Sequence, residues 1–317
     1  QRINVFSPVY GNSPESGLNF APQVNRVETQ KSVGFYVQDQ ISLSDKLELR
    51  LGARVDNYDQ ELLNRRSNRT SNYSKTQVSP QFGAVYQATD ALSFYAVYGE
   101  NFRPLSGATD TNGLDPNLSE SKELGVKFTL NGGALSGNLA VFALDMSNVA
   151  TFDADYNPTA IGAAESSGFE LDLSGRLTDS TNLWLSYAHV DAQTLNDYTD
   201  FISYNFIPAG SKLLNVAENQ LSLQVTQDMR MSGRTLTFIG GVVYVDDRSG
   251  EFGDPSFELP SYTTFRIAAD YQISDSLGLR AEVNNLFDEE FYTNSYASVW
   301  VQPGAPTWWR LSATYSF

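Results

Sequence analysis

The feature that most constrains this chain is a two-residue alternation of apolar and polar side chains. The end of the sequence shows it most simply, because Trp309, Leu311, Ala313, Tyr315 and Phe317 alternate with polar neighbours up to the last residue. Successive side chains of a β-strand point to opposite faces, so this pattern predicts a strand with one apolar and one polar face. The terminal segment alone allows either an edge strand of a soluble sandwich or the closing strand of a membrane barrel.

The same alternation recurs along the chain and predicts about thirteen strands, arranged as six hairpins and the terminal strand. The strands span roughly 12 to 17 residues, whereas strands of soluble proteins usually span about 5 to 6. Short turns are predicted at 44–46, 89–90, 131–133, 178–180, 231–233 and 274–276, and long loops at 64–74, 104–118, 150–163, 194–214, 249–260 and 293–305. Short turns at one end and long loops at the other are typical of an outer-membrane β-barrel, with the short turns in the periplasm.

The two faces of the predicted strands differ in a way that suits a wall between lipid and a polar lumen. In the second strand, for example, Leu49 and Leu51 alternate with Arg50 and Arg54. The pattern places the following side chains toward lipid: Leu49, Leu51, Phe169, Leu171, Leu223, Ile267 and Val283. It places these toward the lumen: Arg50, Arg54, Glu170, Arg280 and Glu282.

Composition excludes several other classes of protein. No window approaches the ~18 consecutive apolar residues of a membrane-spanning helix. The sequence contains no Cys, so thiolate metal sites and disulfides are excluded, and its net charge of −16 argues against a nucleic-acid partner. Residue 1 is not Met and no signal peptide follows it, which indicates a mature or truncated chain.

Six motifs follow one another along the chain: Phe35–Gln40 (FYVQDQ), Leu51–Asp56 (LGARVD), Tyr98–Pro104 (YGENFRP), Ser121–Lys127 (SKELGVK), Val283–Asp288 (VNNLFD) and Gln302–Pro306 (QPGAP). In this order they resemble the barrel of TonB-dependent siderophore receptors of the outer membrane. Each motif is weak alone, but together they span almost the whole chain. The likeness is greatest to receptors for ferric hydroxamate or mixed-type siderophores.

The resemblance implies an all-β transmembrane antiparallel barrel. Because family members have twenty-two strands around a plug domain, it implies that this chain holds about the last thirteen strands, without the plug and the early strands. The implied domains are an extracellular loop remnant at 1–26 and the C-terminal part of the barrel at 27–317. Thirteen strands cannot close an even-numbered barrel without leaving edges in lipid.

The resemblance also implies a function, which is TonB-dependent, plug-gated import of a ferric siderophore bound at the extracellular face. The implied partners are the ferric siderophore, the TonB complex acting through an N-terminal region, outer-membrane lipid and lipopolysaccharide, with no cofactor other than the cargo. Two alternatives stay open. One is a passive porin-type channel, and the other is a TonB-dependent receptor for haem, cobalamin or an oligosaccharide.

Aromatic and polar residues at the predicted outer ends of the strands are the candidate ligand contacts. A ferric siderophore is a compact polar chelate, often anionic, so aromatic faces and arginine suit it. The candidates are Phe102, Arg103, Tyr156, Tyr198, Tyr204 and Trp300. For each one, the alternative is an aromatic girdle at the membrane interface or ordinary loop packing. The lumenal charges named above are predicted to face the plug.

Enzymatic and metal-site interpretations find little support. His189 is the only histidine and lies within a predicted strand without a paired nucleophile, so we expect an ordinary wall residue and no enzyme. The stretch 110–115 resembles a calcium loop but lacks the third acidic position and the distant Glu that such a loop needs. We therefore expect a turn there.

Overall fold

The structure of the protein is a computed structural model that describes residues 25–105, 114–152, 158–200 and 205–317. The predicted loop remnant at 1–26 therefore lies almost wholly outside the described residues. Strands dominate, and no helix in the described part of the chain is long and apolar enough to cross a membrane.

Thirteen strands form the wall of one large antiparallel sheet, as the alternation predicts. They are β1 (Arg26–Ser44), β2 (Leu47–Asn64), β3 (Arg69–Thr89), β4 (Leu92–Arg103), β5 (Asn117–Leu130), β6 (Leu135–Phe152), β7 (Pro158–Thr178), β8 (Thr181–Thr194), β11 (Asn219–Met231), β12 (Arg234–Val245), β15 (Tyr262–Gln272), β16 (Leu277–Asn284) and β19 (Trp308–Tyr315). Each wall strand pairs with the next one along the chain, so the sheet is a simple meander. The expected strand count and antiparallel order are confirmed.

Six short strands lie in the long connections between wall strands. They are β9 (Tyr198–Asp200), β10 (Phe206–Ile207), β13 (Arg248–Ser249), β14 (Glu258–Leu259), β17 (Tyr292–Ala297) and β18 (Trp300–Pro303). β9 pairs with β10 and with the end of β6, whereas β13–β14 and β17–β18 form separate two-stranded ribbons. The long loops at this end of the wall are therefore partly ordered by their own backbone pairing.

The tight turns fall where turn residues predict them. Between β5 and β6, Asn131 and Gly132 have φ angles of 53° and 64°, a conformation that asparagine and glycine adopt at low cost. One predicted loop, 64–74, is wrong. β2 and β3 continue as a hairpin to a short turn at 65–68, where the Asn64 side chain accepts the amides of Arg66 and Ser67 at 3.0 and 3.3 Å.

The sequence does not reveal this hairpin because its outer half alternates little between apolar and polar residues. On the outward face, Leu49, Leu51 and Val55 give way to Asp59 and Glu61. Water rather than lipid therefore faces this part of the hairpin, since charged side chains are costly against hydrocarbon. From this change in polarity we infer that the membrane boundary on β2 lies between Val55 and Asp59 and that the outer half of the hairpin projects beyond it.

The register arranges the predicted lipid-facing residues in continuous rows. Leu171 pairs with Leu139 on one side and with Tyr187 on the other, and Ile267 pairs with Gly240 and Val283. Leu51, Phe169 and Ile267 are exposed and the other predicted lipid-facing residues are partly exposed, which agrees with a lipid-facing wall.

β1 and β19 are the edges of the described sheet, because each pairs with a single neighbour there. Phe35 and Tyr36 are 77% and 76% exposed, although they point to opposite faces of β1. Trp309 and Leu311 of β19 are 70% and 69% exposed. Side chains that stay exposed on both faces of an edge strand indicate a surface suited to pairing with further strands.

Candidate functional site

The outer half of the β2–β3 hairpin carries a packed cluster on its inward face. β4 pairs with β3 only as far as Gly99, and its last residues pair with β5 alone. The freed end of β4 lies against the hairpin, where Phe102 stacks on Tyr58 with ring centroids 5.5 Å apart. Leu105 is buried beside them, and its carbonyl accepts the Gln60 side-chain amide at 2.6 Å. Phe102 is thus half-buried and holds the β4–β5 connection against the hairpin.

Asp115 is fixed to the same hairpin by two side chains. Lys75 forms an ion pair and hydrogen bond with its carboxylate, and the Tyr73 hydroxyl donates to it at 2.9 Å. The Lys75 hydrogen bond, supported by that of Tyr73, lowers the pKa of the Asp115 carboxyl. Burial and the same hydrogen bond raise the pKa of the Tyr73 hydroxyl. The Asp115 carboxylate therefore serves as an anchor, and residues 110–113 of the suspected calcium loop lie outside the described residues.

A second cluster at the outer end joins three loops around a buried arginine. Arg248 of β13 is only 3% exposed, and its guanidinium donates to the carbonyl oxygens of Tyr292 at 2.7 Å and Thr293 at 3.1 Å. The same group lies 5.7 Å from the ring centroid of Tyr262. Backbone carbonyls and an aromatic face thus satisfy this buried charge, and the contacts tie the β12–β15 loop to β17.

Further hydrogen bonds extend this cluster to the loop before β11. The Asn215 side chain donates to the Ser295 carbonyl at 2.7 Å and accepts the Ser295 amide at 2.9 Å. The Ser295 hydroxyl bonds to the Gly250 carbonyl, and the Ser298 amide donates to Glu251 at 2.9 Å. The loops at 205–218, 246–261 and 285–307 are therefore one hydrogen-bonded block, which we call the loop block.

Two predicted contact residues lie in or beside the loop block. Trp300 is 70% exposed, and its ring lies 5.8 Å from that of Tyr296. Tyr198 is buried, and burial together with the charge of Asp200 raises its pKa to about 12. Burial, and to a smaller extent the charge of Asp200, also raises the pKa of Tyr296. An exposed indole beside a tyrosine gives the cluster an open aromatic surface.

The remaining predicted contacts are placed less closely. Arg103 is exposed and donates a hydrogen bond to the Asn117 side chain at 3.2 Å. It ends β4, whereas Trp300 lies in the connection between β16 and β19, so many wall strands separate the two residues. Tyr156 and Tyr204 lie outside the described residues. No contact among the described residues joins Phe102 or Arg103 to the loop block.

The predicted lumenal charges lie on the inward face of the wall, and most have partners there. Arg280 reaches Glu282 at 2.9 Å and Asp270 at 3.0 Å, while Arg310 reaches the other Glu282 oxygen at 2.9 Å. Glu282 is only 8% exposed beneath the two arginines. Arg310 is the most exposed member of this network at 59%, whereas Arg280 and Asp270 are 33% and 39% exposed.

The first two strands hold a similar but smaller arrangement. Arg54 binds Asp56 through two nitrogens, at 2.6 Å each, and its guanidinium occupies the space where a side chain at Gly34 would stand. Arg50 donates to Gln38. Glu170, by contrast, is exposed and forms no ion pair within the described structure. Glu170 is therefore the most available of the predicted lumenal carboxylates.

The structure also places His189 and allows a search for metal-binding clusters. His189 lies on the outward face, with Nδ1 3.0 Å from the Asn219 side-chain oxygen and its ring 5.4 Å from Phe169. Within the described ranges, no three His, Cys, Asp or Glu side chains converge as a metal site. Sequence reasoning missed Tyr58, Tyr73 and Arg248, because each owes its position to a partner on another strand.

Comparison with known proteins identifies relatives of the chain. Residues 1–286 match the family described as TonB dependent receptor-like, beta-barrel. The metal-pseudopaline receptor CntO of Pseudomonas aeruginosa is 36% identical over 99% of this chain and 44% of its own length. The ferrioxamine B receptor of Salmonella typhimurium is 28% identical over 91% of this chain and 40% of its own length.

A solved structure shows the same fold. The siderophore receptor PiuA from Acinetobacter baumannii superposes with a TM-score of 0.81 at 24% identity, covering 91% of this chain and 43% of that one. The chain therefore spans less than half the length of the curated relatives that it matches.

Proposed function

Because this chain belongs to the TonB-dependent receptor family, whose barrel its residues 1–286 match, we propose that the complete protein imports a chelated metal ion across the outer membrane. The observation that carries this proposal is the 36% identity to a metal-pseudopaline receptor along 99% of the chain. The match to a ferrioxamine B receptor supports the same general cargo, a metal ion held by a small organic chelator. Barrels of this family lie in the outer membrane, and the exposed apolar face of the thirteen-stranded wall agrees with that location.

The outer end of the described wall supports cargo capture. The loop block presents Trp300 and Tyr296 on a framework held by buried hydrogen bonds. Because these loops are already ordered, binding a ligand costs them little conformational entropy. Arg103 offers an exposed guanidinium for an anionic chelate. We propose these residues as contacts, together with the aromatic positions Tyr156 and Tyr204, whereas the buried Tyr198 would have to become uncovered to contact a chelate.

The inward-facing charges support a second role, which is to hold a plug within the barrel. Arg310 exposes positive charge and Glu170 exposes negative charge, so a folded domain of mixed charge could pair with both. The TonB complex would supply the energy that displaces this plug, and lipopolysaccharide would surround the outward face. A passive porin is the less favoured function, because the family match is to a TonB-dependent receptor.

The test is uptake of radiolabelled metal by a strain that lacks the gene for the complete protein, with and without the gene restored. Ferrioxamine B, ferric pyoverdine and metal-pseudopaline complexes form the panel, since relatives of the chain are named for these cargoes. We expect gene-dependent uptake of at least one complex that stops when TonB is deleted. Gene-dependent uptake that persists without TonB would indicate a passive channel, and no gene-dependent uptake of any chelate would refute the proposal.

A further inference from the structure

The inward face of the wall lacks charged side chains across part of three adjacent strands. The inward-facing positions within 184–190 of β8, 220–226 of β11 and 239–245 of β12 carry no charged side chain. We call these positions the neutral stripe. Two rows cross its middle, one of Ser186, Ser222 and Val243 and the other of Trp184, Gln224 and Gly241.

The strand register places the neutral stripe on the same face as the charged inward residues, although residue type alone does not indicate this. On one side, Ser186 pairs with Asp172 of β7, which belongs to the polar row of Glu170. On the other, Gly241 pairs with Arg266 of β15, and Arg266 lies on the same face as Asp270. Paired residues of adjacent strands share a face, so the stripe continues the charged inner surface on both sides.

The strands that flank the neutral stripe are strongly charged. Glu170, Asp172 and Arg176 alternate along the inward face of β7. Beyond the stripe, the inward faces of β15, β16 and β19 carry Arg266, Asp270, Arg280, Glu282 and Arg310. Among the described strands, β8, β11 and β12 are the widest group of neighbours whose wall-spanning part has no inward charge.

A recess connects this surface with the outer loops. It has a volume of about 270 Å³ and extends from Phe291 and Ala305, in the loop between β16 and β19, to Ser222 and Trp184 on the neutral stripe. The Trp184 side chain is 48% exposed, which leaves an aromatic surface toward the lumen. The loop block and the neutral stripe therefore adjoin, with open space between them.

Building on the proposed function, we propose that the neutral stripe is the side of the barrel along which the metal chelate passes to the periplasm. If ion pairs hold a polar plug against the wall, the plug is bound most weakly where the wall has no charged side chain. Separating the plug from the neutral stripe therefore requires less free energy than separating it from the charged strands. Small side chains at Ser186 and Ser222 leave room for a bulky chelate, whereas the Arg266 side chain of the neighbouring strand reaches over Gly241.

The same surface suits a cargo in transit. A charged chelate binds to fixed charges of opposite sign and is slowed by them, whereas conduction needs sites that release what they bind. Hydroxyl, amide and aromatic groups give weak contacts to the organic part of a chelator of either charge. The inferred cargo is thus a metal chelate with a partly apolar organic framework.

The experiment narrows the barrel at one position without changing charge. In the full-length receptor, Ser222→Trp adds a bulky side chain in the middle of the neutral stripe. The matched control is Ser312→Trp, which adds the same bulk on the inward face of β19 opposite Arg280. Surface binding of the labelled chelate is measured in energy-depleted cells, and uptake is measured in energised cells that contain equal amounts of folded receptor.

We expect Ser222→Trp to reduce uptake at least tenfold while surface binding stays within twofold of wild type, and Ser312→Trp to leave both nearly unchanged. A second pair, Ser222→Cys and Ser312→Cys, is labelled during transport with a bulky thiol reagent, because this chain has no cysteine of its own. Loss of uptake only after labelling at position 222 supports the path. Normal uptake with bulk at position 222, or equal loss at 312, would overturn it, whereas a wild-type receptor that neither binds nor imports any chelate would refute the proposed function instead.

Discussion

Arg248 should control the rigidity of the loop block, and Arg248→Ala should loosen it locally. The guanidinium makes two hydrogen bonds to carbonyl oxygens of β17, at 2.7 and 3.1 Å, and a long one of 3.5 Å to the Asp246 carbonyl, and it lies over the Tyr262 ring. Hydrogen bonds from charged groups contribute about 1.5 to 3 kcal/mol each, and a cation–π contact about 0.5 to 2 kcal/mol. Because removing the arginine also removes the cost of burying its charge, we expect the lower end, about 3 kcal/mol.

Hydrogen–deuterium exchange in the full-length receptor measures this loosening directly. The amides of Asn215 and Ser295 are hydrogen-bonded within the loop block, to the Ser249 carbonyl and to the Asn215 side chain. A loss of about 3 kcal/mol corresponds to roughly 100-fold faster exchange at these amides when opening is local. Arg248→Lys should recover only part of the protection, because a lysine cannot reproduce the planar donor fork.

The control is Arg234→Ala, at the turn on the opposite end of the wall. Arg234 pairs with Asp275, whose side chain is 93% exposed, so its removal should leave the outer loops unchanged. Unchanged exchange at Asn215 and Ser295 in Arg248→Ala would refute the reasoning. Full protection in Arg248→Lys would show that a point charge suffices and would refute the part played by the fork.

Three other predictions test the wall, the hairpin and the ligand contacts. Leu171→Arg should destabilise the folded barrel by about 2 to 4 kcal/mol in urea titrations in lipid vesicles, because it places a charge on the lipid face. An unchanged urea midpoint would show that Leu171 does not face lipid. Because Lys75 lowers the pKa of the Asp115 carboxyl, the Asp115 anchor should stabilise the loop fully above the ordinary carboxyl pKa and lose this effect as pH falls through the lowered pKa. Amide exchange near Asp115 should therefore stay slow at pH 5 and become faster at lower pH. In Lys75→Met this acceleration at low pH should be absent. Trp300→Ala should weaken binding of a labelled chelate roughly tenfold, as loss of an aromatic anchor does, whereas Arg50→Ala should leave binding nearly intact; equal affinities would remove Trp300 from the site.

The alternation of side chains determined most of the wall. A two-residue period can be satisfied only by strands, and its length, the tight turns and the sorting of loops together predict an outer-membrane barrel. The turn at Asn131–Gly132 and the opposite faces of Glu170 and Leu171 follow from the same local information. These features depend on neighbours along the chain, so the order of residues is enough to determine them.

The outer end depended on contacts between distant parts of the chain. The β2–β3 hairpin extends past the membrane, where water on the outward face removes the apolar alternation that reveals a strand elsewhere. Phe102 meets Tyr58, and Arg248 meets Tyr292, across 44 residues in each case. Neither pairing leaves a periodic pattern in the sequence.

The neutral stripe illustrates the same division. Its residues are uncharged in the sequence, but uncharged residues also occur in lipid-facing rows and in loops. Only the register from β7 through β15 places Ser186 beside Ser222, and Gln224 beside Gly241, on the inner surface between two charged groups of strands. Composition is a property of each segment, whereas adjacency across strands is decided by hydrogen-bond pairing, and that pairing exists only in the folded sheet.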